Sequence, residues 1–236
     1  MKSLSILILL LLTGCESCVV TVDGVYYWNV PWLKTSREYL KSNDYLKYNG
    51  MFKESHRRNV PRTHGYVRNS GVTPVFEKPD TAEVDLFVLI NQYRASKGLY
   101  SLRLSKSLTH VAQVHVNDLD YNRPVGDCNL HSWSEGEAWS SCCYTRDHAN
   151  ASGMWNKPRE LTAYPGNGYE CAAQSGGGIA PKIALWMWQN SPGHNAVIIN
   201  LEEWSSCAWK SIGVGIEGEY AAIWFGDKED PSGYWK

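Results

Sequence analysis

The residue best placed to do chemistry is His194, in the segment Trp188-Gln189-Asn190-Ser191-Pro192-Gly193-His194-Asn195. Ser191 is a good helix N-cap. Pro192 suits the first helical position, where its missing N–H would be unpaired in any case. His194 then falls in the first turn, where the positive end of the helix dipole disfavours an imidazolium. A neutral imidazole in that place can bind a metal, accept a proton, or accept a hydrogen bond that ties the loop down. No serine, threonine or cysteine sits in a recognisable nucleophile motif.

The elements that must position this histidine are legible around it. Asp80 and Glu83 are spaced as a capping pair and Gly98 suits a C-cap, which predicts a helix from Asp80 to Lys97 with Leu86, Leu89, Ile90 and Tyr93 as its apolar stripe. A second helix is expected from near Ser105, where Leu108, Val111, Ala112, His115 and Leu119 recur on one face. His115 on that stripe reads as a satisfied, partly buried packing residue rather than a ligand, and His110 as an exposed one. Residues 120–168 are loop-rich, with an acidic patch at Glu135 and Glu137. A third helix starts at Pro181 and carries Ile183, Trp186, Met187 and Asn190. Ile212, Val214 and Ile216 then alternate with Gly213 and Gly215, and Glu217-Gly218 turns the chain into a second strand, Tyr220–Phe225. The strand glycines suggest close approach of another backbone.

Five pieces together carry a family resemblance. Trp188 with Asn190-Ser191-Pro192-Gly193-His194 and Ile198-Ile199-Asn200 resembles the W-x-N-S-P-G-H-x-x-N-I-L signature of the CAP superfamily, whose SCP domain is shared by cysteine-rich secretory proteins, antigen 5 and pathogenesis-related 1 proteins. Leu89-Ile90-Asn91-Gln92-Tyr93-Arg94 with Gly98-Leu99, Asn129-Leu130-His131-Ser132, Tyr169-Glu170-Cys171-Ala172, and Ile212-Gly213-Val214-Gly215 with Ile223-Trp224-Phe225-Gly226 resemble further family segments in the same order. The match runs over about residues 81–226 and implies an α+β fold, the CAP-type α/β/α sandwich, for a domain spanning 81–236.

The resemblance also implies a cleft of two histidines and two glutamates. His131 matches the first histidine, Glu170 the first glutamate and His194 the second histidine. The place of the second glutamate reads Trp186-Met187-Trp188-Gln189, without a carboxylate, as is common in bacterial members. Glu160 is a further carboxylate for the neighbourhood, and Cys171 stands where the family has asparagine. Two neutral imidazoles with a carboxylate can hold a divalent metal such as zinc, with His131 and His194 as ligands and Glu170 as ligand or general base. Glu170 is therefore the one candidate catalytic residue. The alternative is that Glu170 and His131 bond each other and pin loops across the cleft.

The start of the chain reads as an export signal. Lys2 precedes the apolar run Leu4–Leu12, which is too short to span a bilayer and ends Leu12-Thr13-Gly14-Cys15. That ending resembles a bacterial lipoprotein box, which implies removal of residues 1–14, lipidation of Cys15 and a membrane anchor at the periplasmic or cell surface; an ordinary secretory signal is the alternative. Residues 15–80 then form a loop-rich, lipid-anchored extension, with Thr35 and Glu38 spaced as a capping box and a basic stretch over 53–68. Six cysteines remain besides Cys15, and an exported chain forms disulfides. The expected pairings are Cys128 with Cys142 or Cys143, and Cys171 with Cys207, with Cys18 and the other of the two neighbours outside them.

A net charge of −1 argues against a nucleic-acid partner. Eleven Trp and fourteen Tyr read first as packing residues, and second as an aromatic groove for lipid or polysaccharide. The functional expectation is a binding or interaction module at the cell envelope, taking a lipid, polysaccharide or protein ligand. The alternative is a metal- or Glu/His-dependent hydrolase of peptides or envelope polymers.

Overall fold

A computed structural model describes residues 19–22, 25–28, 74–136 and 138–236. The export signal, Cys15, Cys18, the Thr35–Glu38 pair and the basic stretch over 53–68 lie outside the described residues. Strands β1 (Val19–Val22) and β2 (Val25–Trp28) form an antiparallel pair. The domain itself begins with helix α1 (Thr81–Ser96), where both halves of the capping box are made: Asp80 Oδ1 accepts from the Glu83 amide, and Glu83 Oε2 from the Asp80 amide. Gly98, at φ 76°, adopts the left-handed backbone needed just beyond the helix end.

Strand β3 (Arg103–Leu104) leads into helix α2 (Lys106–Asn122), capped by the Ser105 hydroxyl on the Leu108 amide. Two short helices, α3 (Ala151–Trp155) and α4 (Lys157–Leu161), break up the loop-rich region. Strand β4 (Tyr169–Gln174) follows; its lack of clear polar–apolar alternation gave no strand signal. Helices α5 (Pro181–Gln189) and α6 (Pro192–Ile199) precede the long strands β5 (Ser211–Glu217) and β6 (Tyr220–Gly226).

The sheet order is β3-β5-β6-β4, with β3 parallel to β5 and the other pairs antiparallel. One face points Ile212, Val214, Ile216, Ile223, Phe225 and Cys171 into a core closed by Leu86 and Ile90 of α1, Leu185 and Trp188 of α5, and Ile198 of α6. The other face carries Tyr220, Ala222 and Trp224 against Leu108, Val111 and Ala112 of α2 and the aromatic loops beyond it. This is the α/β/α sandwich that the resemblance implies.

Gly213 and Gly215 explain how α2 lies so close. A Cβ on Gly213 would come within 2.1 Å of the Leu108 carbonyl carbon, and one on Gly215 within 2.5 Å of that of Ala112. One expectation is corrected here: His110 is not an exposed residue but only 4% exposed, because its helix is buried almost all round and Phe76 lies edge-on to its ring at 5.8 Å. Burial pushes its pKa down to about 4.

The cysteines divide differently from expectation. Cys128 and Cys143 form a disulfide, as one of the two expected options. Cys171 and Cys207 do not pair. Cys171 is wholly buried in the core and its thiol lies 3.8 Å from the His194 carbonyl, whereas Cys207 lies beyond the 3-10 turn Glu202–Trp204. Cys142 is also free and buried.

Candidate functional site

Strand alternation decides which way Glu170 faces. Cys171 points into the aliphatic core, so Glu170, beside it on β4, points to the α2 face, where it pairs in register with Trp224. There it is 5% exposed and meets two histidines. His115 Nδ1 contacts Glu170 Oε1 in a short hydrogen bond, and His131 Nδ1 lies 2.8 Å from Glu170 Oε2. His115 Nε2 lies 3.0 Å from the Ser132 carbonyl oxygen.

These contacts set the proton positions. A carbonyl oxygen only accepts, so His115 carries hydrogen on Nε2. Glu170 is a carboxylate that accepts from both imidazoles. Burial alone would raise its pKa, but the His115 charge and the hydrogen bonds from His115 and His131 outweigh that and hold it well below the carboxylate range. Burial would likewise strip the proton from His115. The attraction and hydrogen bond of Glu170, with the Ser132 carbonyl, overcome it and raise the pKa. The pair is therefore a buried imidazolium–carboxylate ion pair. Trp133 lies flat on the His115 ring, centroids 4.3 Å apart at 7°, and Trp224 meets it edge-on at 6.2 Å. The Lys157 ammonium lies 5.2 Å from the Trp133 ring centroid.

His194 approaches from the other layer. Its helix is steered by α1: Tyr93 donates its hydroxyl to Asn195 Oδ1 at 2.8 Å, and the buried Arg94 donates to the Ile198 carbonyl at 2.6 Å and to Asn200 Oδ1 at 2.8 Å. Ser191 occupies the N-cap position but makes no side-chain cap bond. Its hydroxyl instead lies 3.0 Å from His194 Nδ1, so the cap signal was right about place and wrong about partner. The His194 and His131 ring centroids are 5.8 Å apart, tilted by 50°. Burial and the neighbouring His131 push the His194 pKa down to about 4. The Tyr144 ring centroid lies 5.1 Å from that of His131, and its hydroxyl is bonded to His148 Nδ1 at 2.7 Å.

The fold thus gathers the three residues that the family pattern marks, His131, Glu170 and His194. It does not add Glu160, which is tied to Lys157 at 2.7 Å and to the Ser140 amide. His115 is satisfied and packed, as its place on the stripe suggests, but wholly and not partly buried, and its partner is Glu170, which the sequence did not name. An ionisable ring on the apolar stripe of a buried helix needs a buried partner, and that was the available signal.

The three-ligand metal set fails on the same geometry. Both Glu170 oxygens are engaged by histidines, and among the described residues no group of three His, Cys, Asp or Glu side chains is arranged to hold a metal ion. What the residues fit is a two-nitrogen site. His131 and His194 each bond through Nδ1, which leaves Nε2 of both rings for a divalent ion or another ligand.

A model of the cysteine-rich secretory protein family, CAP, matches residues 87–218. The chain belongs to this family. Its CAP domain also aligns with a cysteine-rich secretory protein from Staphylococcus aureus subsp. aureus Mu50, at 17% identity and a TM-score of 0.42, over 66% of this chain and 40% of that one. An extracellular SCP-domain protein from Bacillus anthracis str. Ames aligns at 18% identity and a TM-score of 0.43, over 66% of this chain and 45% of that one. The chain thus spans less than half of either solved relative. No curated protein matches.

Proposed function

We propose that this CAP-domain protein works outside the cytoplasm, anchored through a lipid on Cys15, as a binding module whose ligand is taken at the imidazole pair His131 and His194. The observation that carries the reading is the enclosure of Glu170. Its two oxygens accept from His115 and His131, so the carboxylate orients an imidazole instead of facing a substrate as a base. The cleft then offers the Nε2 atoms of the two rings, that of His131 as an acceptor and that of His194 as acceptor or donor according to whether its Nδ1 donates to Ser191 or accepts from it. A matching ligand is a divalent cation or a hydrogen-bonding group. Bound there, zinc would be held by His131 and His194 and would supply a Lewis acid.

One contact favours the hydrolase reading: Ser191 Oγ lies 3.0 Å from His194 Nδ1, as a nucleophile beside a base. With its pKa near 4, however, His194 is a poor proton acceptor at neutral pH, and its own orienting group is that serine and not a carboxylate.

Zinc titration by calorimetry probes the two nitrogens directly. The wild type should bind zinc, and a His131→Ala/His194→Ala variant that remains folded by circular dichroism should not. Equal binding by both, or none by the wild type, would remove the imidazole pair from the function. Turnover of a fluorogenic peptide that is lost in Ser191→Ala would replace the binding reading with the hydrolase one. For the anchor, Cys15→Ser should release the protein from membranes, and retention would refute lipidation.

A further inference from the structure

We infer that His115 is the positioning residue of the cleft, the group that compels His131 to turn a bare Nε2 towards a ligand. The inference rests on the binding reading for its consequence, but the hydrogen-bond chain that carries it can be tested without any ligand.

The chain of contacts is Ser132 carbonyl, His115, Glu170, His131. It has one fixed end. The Ser132 oxygen can only accept, so the hydrogen on His115 Nε2 is compulsory. The His115 ring is 0% exposed, so no solvent molecule can substitute for either partner, and the parallel Trp133 with the edge-on Trp224 keeps the ring from turning. Its remaining nitrogen, Nδ1, is aimed at Glu170 Oε1 and supplies a hydrogen bond to it. Glu170 Oε2 is then left to accept from His131 Nδ1, which places a ring hydrogen on Nδ1 and leaves Nε2 as the nitrogen for a ligand. His115 also holds the cleft a second way, because the carbonyl it bonds belongs to Ser132, next to His131 in the chain. One side chain thus fixes both the backbone that carries His131 and the carboxylate that orients its ring.

Replacing His115 by Phe removes the donor and its charge together. Glu170 Oε1 and the Ser132 carbonyl lose their ring donor together, so neither the carboxylate nor the backbone beside His131 is held in place. His131 Nδ1 then has no fixed acceptor, and the ring takes up both hydrogen placements. The preference for a bare Nε2 is lost with no change at either cleft histidine. Replacing His115 by Gln acts differently: one amide nitrogen carries two hydrogens, enough to donate to both the Ser132 carbonyl and Glu170.

The test is nitrogen-15 NMR of the full mature chain, labelled at histidine, read at neutral pH. In the wild type, His115 should show hydrogen on both ring nitrogens and His131 hydrogen on Nδ1 alone. His115→Phe should turn the single His131 signature into a mixture of the two hydrogen placements and weaken zinc binding about 10–100-fold, the usual cost of losing an orienting partner. His115→Gln should restore the wild-type His131 signature and most of the affinity. A wild-type His131 protonated on Nε2 would overturn the inference outright, whether or not any variant folds. An unchanged His131 signature in folded His115→Phe would do the same. Correct signatures without zinc binding would leave the positioning role standing and remove the binding reading.

Discussion

The two faces of the β5–β6 hairpin are built on opposite principles. On the α1/α5/α6 side, Ile212, Val214, Ile216, Ile223 and Phe225 fill the space with aliphatic and aromatic bulk, and this core needs only volume and shape. On the α2 side, Gly213 and Gly215 withdraw their side chains so that the helix backbone itself touches the sheet. The close approach brings His115 of α2 within a hydrogen bond of Glu170 on β4. The first face tolerates change because neighbouring side chains can adjust. The second does not, because backbone lies on backbone and its buried charges are matched one to one. The proposed His131–His194 site lies at the edge of the intolerant face.

The largest expected difference lies between two neighbours on β4. Glu170→Ala leaves the His115 imidazolium buried without its counter-ion and should cost about 3–5 kcal/mol. Cys171→Ala, one residue on and facing the aliphatic core, removes only a sulfur and should cost about 1 kcal/mol. Urea unfolding of both variants measures the gap, and similar losses would mean that the two faces do not differ in this way. The next contrast is on β5. Gly213→Ala drives a methyl into the Leu108 carbonyl and should cost about 1–3 kcal/mol or more. Ile212→Val, beside it, should cost about 0.5–1.5 kcal/mol. Because Gly213→Ala also pushes away the helix that bears His115, it should weaken zinc binding, whereas Ile212→Val should not.

The pH dependence of stability follows the titratable groups. His110 and His194 fold as neutral rings with pKa near 4, so the unfolded chain, with histidine at 6.5, binds more protons between those values. Stability should therefore fall as pH drops from about 6.5 to 4. Glu170 has a depressed pKa, so its contribution is present above about 4.5 and is lost on further acidification towards pH 2. His115 has a raised pKa, so its contribution is full below 6.5 and fades as pH rises through the raised value. Thermal melts across pH should show an acid arm steeper in the wild type than in His110→Asn, and identical arms would sink the assignment.

Much of this was legible in the sequence, and the misses share a cause. The Asp80–Glu83 capping box, the Ser105 and Pro181 helix starts and the glycine-bearing strand are local patterns, and local chemistry fixes them. His131, Glu170 and His194 came from the family pattern, because nothing in their own neighbourhoods brings them together. β4 escaped because Tyr169–Gln174 is buried along most of its length and its one charged residue faces inward. His115 escaped because helical periodicity shows that a residue is inside without showing what waits for it there. Ser191 was assigned to the backbone because a nearby side chain could not be weighed against it.

The smallest effect separates the two faces by their dynamics. Cys171 and Cys142 are both buried free thiols, one in the aliphatic core and one on the α2 side. Burial raises both thiol pKa values, so neither reacts while enclosed. Their release differs. Cys171 lies on β4, bonded along its length to β6, and becomes accessible only when the sheet opens. Cys142 lies in a loop held by one bridge to Trp133 and by the neighbouring Cys128–Cys143 disulfide, and local opening suffices to expose it. Cys207, already partly exposed, sets the fast limit. Mass-resolved labelling with a maleimide under native conditions should therefore run in the order Cys207, Cys142, Cys171, with stability unchanged by Cys142→Ser if the loop opens independently. Simultaneous labelling of Cys142 and Cys171 would show that the charged face and the aliphatic core open as one unit, and that the contrast between them is one of chemistry alone.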